Sequence, residues 1–115
     1  MDIKVDMPTS KIQPSKRPPR PTWISISDSG GSAQVYVMND AVAWNDIGVK
    51  TLEEWQKNTP NVDFEECKGS EPPVHCRIFI RADATTAYRN VVRVMNRLQD
   101  QGFRQIGLVA EDRRR

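Results

Sequence analysis

Three stretches decide the fold: Cys76-Arg77-Ile78-Phe79-Ile80-Arg81, Tyr88 to Leu98, and Gln105-Ile106-Gly107-Leu108-Val109-Ala110. The first alternates apolar and polar residues, the period of a half-buried strand. In the second, Tyr88, Val91, Val92, Met95 and Leu98 recur at helical spacing and form one apolar stripe. Gly102 follows, a residue suited to the left-handed position that ends a helix. The third stretch is a second strand. Together they have the length of a βαβ unit, whose crossover is right-handed in nearly all cases.

Working outward, the alternation extends back through Val74. It places Val74, Cys76, Ile78 and Ile80 on one face and His75, Arg77, Phe79 and Arg81 on the other. Trp23-Ile24-Ser25-Ile26-Ser27 and Gln34-Val35-Tyr36-Val37-Met38 also alternate. Between them lies Asp28-Ser29-Gly30-Gly31-Ser32, rich in turn-forming residues, so a hairpin is expected. Its apolar face would be Ile24, Ile26, Val35 and Val37. Thr51-Leu52-Glu53-Glu54 has the form of a capping box, with Thr51 as N-cap of a short helix ending near Lys57 or Asn58. Gly48 argues against an earlier start. Leu52 and Trp55 would face the core. The expected fold is α+β: a two-layer sandwich of one mixed four-stranded sheet with both helices on one face, ending in the βαβ unit. The opposite sheet face carries Ser25, Ser27, Arg77 and Arg81, but also Trp23, Tyr36, Phe79 and Val109, more apolar surface than solvent requires.

The chain has 115 residues, room for one domain, and 37% of them are hydrophobic. Residues 1–21 read as an extended basic linker: Pro14, Pro18, Pro19 and Pro21 lie among Lys, Arg, Ser and Gln, and proline favours polyproline II. Residues 22–111 form the folded domain, and 112–115 a basic tail. The linker is net +3 and residues 22–110 are net −2. A basic stripe of the kind nucleic acid requires is not evident. No stretch has the length and apolarity of a membrane span or a signal peptide. The opening Asp2-Ile3-Lys4-Val5 reads as a cut inside a longer protein.

The chemistry-bearing motifs are sparse. Neither a phosphate-binding glycine loop nor HExxH is present, and His75 is the single histidine. It reads as a surface or interface residue, so no enzyme, cofactor or metal is expected. Cys67 and Cys76 allow three readings: a disulfide stapling the acidic loop to the strand, a metal site with His75 and Glu66, or two reduced thiols. Adjacent strand residues point to opposite faces, which disfavours the metal site.

Three stretches, in order and spacing, resemble the ExbD/TolR family. Val5-Asp6-Met7-Pro8 is similar to the family's Val-Asp-Leu-Pro motif. Phe79-Ile80-Arg81-Ala82-Asp83 with Tyr88 is similar to its strand-to-helix passage. Val92-Arg93-Val94-Met95-Asn96 through Gly102 to Ile106-Gly107-Leu108-Val109 resembles its ending. The basic proline-rich linker looks more like ExbD than TolR. The resemblance implies a domain on the periplasmic face of the bacterial inner membrane, tethered by a preceding transmembrane helix. It implies a homodimer, an ExbB-like membrane subunit and a TonB-like energy transducer, coupling proton motive force to outer-membrane transport. The TolR branch implies peptidoglycan binding instead. Partner-binding or regulatory roles would fall on Val5, Asp6, Met7, Pro8 and Leu108, the last expected under the helix layer. The periplasm is oxidising, which favours the Cys67–Cys76 disulfide. The segment from Asn58 to Val74 is longer than the family pattern, and the first helix shorter and less apolar.

Overall fold

Alternation at both ends of the expected turn does produce a hairpin. In the computed structural model, which describes residues 18–29 and 32–111, β1 (Thr22–Ser29) pairs antiparallel with β2 (Ser32–Val37), Ile24 opposite Val37 and Ile26 opposite Val35. These four side chains are buried. The chain then turns through Met38, whose φ is 55°. Few residues other than glycine, Asn and Asp enter that region. The turn adds a short strand, β3 (Asp40–Val42), on the outer side of β2. The sheet therefore has five strands, not four.

A single 3-10 turn (Trp44–Asp46) leads into α1 (Ile47–Asn58). The helix begins four residues before the expected Thr51. Thr51 is not a cap: it is buried inside the helix and its hydroxyl has no partner. Glu54 instead pairs with Lys50 and Lys57 on the helix surface. Gly48 belongs to the helix for a tertiary reason. A Cβ there would lie 3.1 Å from Gln101 Cβ and 3.3 Å from the Arg97 carbonyl oxygen of the neighbouring helix. The glycine sets how closely the two helices approach. Trp55 is fully buried, as expected, and Leu52 packs against the core.

The irregular segment after α1 is organised by aromatic packing and a covalent bond. Phe64, in a 3-10 turn (Phe64–Lys68), lies edge-on to Trp55 at 5.2 Å and to Phe103 at 4.9 Å between ring centres. Trp55 Nε1 donates to the His75 carbonyl oxygen at 3.0 Å. The sulfurs of Cys67 and Cys76 are bonded, with both residues buried. Closing so short a loop stabilises the fold by about 2.5–3 kcal/mol in the chain-entropy account. Among the described residues no His, Cys, Asp and Glu group could hold a metal ion.

Strand β4 (Ile78–Asp83) is shorter than its alternation suggests. Val74–Cys76 is a 3-10 turn after Pro73, so Val74 leaves the core face and is 72% exposed. From Ile78 the alternation holds: Ile78, Ile80 and Ala82 are buried. Helix α2 (Tyr88–Gln101) follows, ended by Gly102 at φ 116°. Its amino end is held from across the fold: one Asp28 carboxylate oxygen accepts from Ala87 N and Asn90 Nδ2, both at 3.1 Å. The buried stripe is Asn90, Val91, Val94 and Leu98. Val94 therefore takes the core position expected of Val92, and Tyr88 lies outside it, 70% exposed. The last strand, β5 (Ile106–Glu111), runs parallel to β4 and closes the βαβ unit. The sheet order is β3-β2-β1-β4-β5, mixed, with β1 also parallel to β4. The buried face carries both helices in one core.

Candidate partner-docking edge

The order of strands leaves two edges. Strand β3 has three residues, too short to pair extensively. Strand β5 has six, and among the described residues nothing pairs with its outer side. Native edge strands are usually blunted by charge, proline or a bulge, because their unpaired N–H and C=O groups template another chain. Ile106-Gly107-Leu108-Val109-Ala110 contains no charge and no proline. Glu111, at the end of the strand, is its only charged residue, so five of its six positions are unguarded.

Side chains beside this edge make a place for a partner. Leu108 pairs in register with the fully buried Ile80, so it is on the helix-bearing face. Yet α2 does not reach over it, and Leu108 is 50% exposed. Leu108 is thus not helix-covered, contrary to expectation: an edge strand has a neighbour on one side only. Leu108, Tyr88, Val91 and Ala82 line a groove of about 150 Å³ between β5 and the first turn of α2. Thr86 also lines it, and its hydroxyl is buried without a partner. The groove thus offers apolar walls, the polar tip of Tyr88 and an unsatisfied hydroxyl next to an open strand.

The opposite sheet face has its own order. Trp23 and Phe79, neighbours across β1 and β4, stack with centres 5.0 Å apart and planes 28° apart. The Arg81 guanidinium lies over the Trp23 ring at 4.5 Å. Gly107 makes the arrangement possible, since a Cβ there would meet the Phe79 ring at 3.1 Å. Part of the apolar surplus expected on this face is therefore self-stacked.

Of the residues expected to bind partners, Leu108 lies at the edge groove. Val5, Asp6, Met7 and Pro8 lie outside the described residues, as do nearly all of the linker and residues 112–115. Tyr88 continues the helical stripe in spacing, yet at the first turn of α2 it is exposed and lines the groove beside Leu108. Among the described residues no helix is long and apolar enough to cross a membrane.

Residues 1–113 match the family described as biopolymer transport protein ExbD/TolR. The chain belongs to the ExbD/TolR family. Biopolymer transport protein ExbD of Escherichia coli K12 is 29% identical over 114 residues, covering 97% of this chain and 67% of that protein. The ExbD of Pseudomonas putida is 30% identical over 110 residues, covering 95% and 65%. The chain thus spans about two thirds of the length of these ExbD relatives.

Proposed function

We propose that this chain is the periplasmic, non-enzymatic part of an inner-membrane energy-transducing complex of the ExbB–ExbD–TonB kind. In this reading it pairs with a second copy of itself and assembles with an ExbB-like membrane subunit. It receives an extended segment of a TonB-like transducer, and so couples proton motive force to outer-membrane transport. The observation that carries the reading is the β5 edge: five successive uncharged residues, 106–110, ahead of Glu111 and beside the Leu108–Tyr88 groove. Main-chain hydrogen bonds to such an edge supply affinity, and a side-chain pocket on alternate residues supplies specificity. Force on a segment added to β5 passes into β4 and β1, the centre of the sheet.

The test is a titration of isotope-labelled chain with the periplasmic fragment of a TonB-like protein. Shifts should concentrate on residues 106–111, Tyr88 and Thr86. Shifts elsewhere, or none at millimolar partner, would remove the reading.

A cell-wall-binding, TolR-like role is the alternative, favoured by the Trp23–Phe79 pair, since aromatic faces suit saccharide rings. Retention on purified peptidoglycan that is lost in Trp23→Ala would support it.

A further inference from the structure

We propose that the groove where the chain enters the sheet binds the carboxyl terminus of a polypeptide ending in apolar residues. This site is at the opposite end of β4 from the Leu108 groove, and it does not depend on the edge reading.

The groove holds about 320 Å³, between linker residues 19–21, the Val74–Cys76 turn and the start of β4. Its walls are apolar: the rings of Pro19, Pro21 and Phe79, and the exposed Val74. Its polar lining is of one kind. Arg20, Arg77 and His75 border it, and no carboxylate does so among the described residues. Among the described residues neither arginine has an ion pair there. Two guanidiniums without a carboxylate partner on an apolar groove are complementary to an anion with an apolar neighbour.

The donors are held in place. Arg20 donates its backbone N–H to the Asn58 carbonyl oxygen at 2.8 Å and its guanidinium to Asn58 Oδ1 at 3.2 Å, leaving other donors of the fork unused. His75 is fixed through its carbonyl, which accepts from Trp55 Nε1. Its Nε2 is buried and has no hydrogen-bond partner. Buried polar atoms without a partner are uncommon and call for one. An inorganic anion would meet the cations but leave Val74, Phe79 and the prolines uncovered. A terminal carboxylate flanked by an apolar side chain satisfies both.

The probe is N-acetyl-Gly-Leu-Leu as the free acid, titrated into isotope-labelled full chain. It is compared with the same peptide as its C-terminal amide, with N-acetyl-Glu-Leu-Leu-amide and with inorganic phosphate. The acid should shift the amides of Arg20 and Val74 to Phe79 and the Trp55 indole N–H. The amide should bind at least about tenfold more weakly, the loss expected for charge-assisted hydrogen bonds. Arg77→Gln, an exposed substitution, should weaken the acid several-fold with an unchanged melting temperature, and Val74→Ser should do likewise. Equal binding of acid and amide, phosphate alone binding as tightly, or shifts confined to β5 would overturn the proposal. Equal binding of the glutamate peptide would overturn the terminal carboxylate as its source.

Discussion

Leu108→Gln separates a core residue from a docking residue. Fully burying a leucine side chain contributes about 1.5–3 kcal/mol. Leu108 is 50% exposed, so its contribution to the fold is about half of that, and Gln keeps part of its stem on the sheet. The expected loss is about 1 kcal/mol or less, roughly 4–8 °C in melting temperature for a domain of this size. Leu98 is fully buried. Leu98→Gln would open a cavity and bury an amide, costing about 3–5 kcal/mol or more. Partner binding should show the reverse order of importance. The exposed half of Leu108 remains to be buried by a docked segment, worth about 0.7–1.5 kcal/mol, or roughly 3- to 13-fold in Kd. Thermal unfolding by circular dichroism reads the first quantity, and calorimetric titration with a TonB-like fragment the second. A drop of more than about 15 °C in Leu108→Gln would refute the edge geometry. An unchanged Kd in a folded Leu108→Gln protein would refute the docking role.

The disulfide should matter most in the irregular segment. Reduction, or Cys67→Ser with Cys76→Ser, should cost about 2.5–3 kcal/mol, seen as a lower denaturation midpoint. A midpoint unaffected by reductant would contradict this. Asp28→Ala removes the acceptor for Ala87 N and Asn90 Nδ2. The loss should be about 1–2 kcal/mol, with faster amide exchange in the first turn of α2. Gly48→Ala sets a gain in helix propensity of about 1 kcal/mol against a contact that must open by a few tenths of an ångström. The larger Gly48→Val should separate the helices and destabilise by more than about 2 kcal/mol, as equilibrium unfolding would report. Two equally stable variants would show that the helices do not meet at this glycine.

Much of the fold was legible because two-residue alternation records which face is buried. Ile24, Ile26, Val35, Val37, Ile78 and Ile80 all followed it. Gly102 announced the end of α2 for a local reason, its left-handed conformation. The failures are tertiary. Gly48 looks like a helix breaker in the sequence, whereas its lack of a Cβ serves a neighbour about fifty residues away. Val74 continues the alternation, but the turn after Pro73 and the bond to Cys67 take that stretch out of the sheet. Strand β3 was missed because Met38 is not a residue that signals a left-handed turn. The site was half legible. The pattern shows which face Leu108 is on, but not where the helix layer stops. Likewise, nothing in the order of residues shows that Arg20 and Arg77 share a groove.

The central claim is that β5 is an open edge that pairs with a partner strand. Hydrogen exchange of the β5 amides tests it most directly. In a parallel pair, alternate amides of β5 bond to β4 while the others point outward. The outward set between Ile106 and Glu111 should exchange quickly in the chain alone. It should become protected, residue by residue on every second position, when a TonB-like segment is added. Protection already present without the partner, or exchange of the outward set unchanged at saturating partner, would contradict the account.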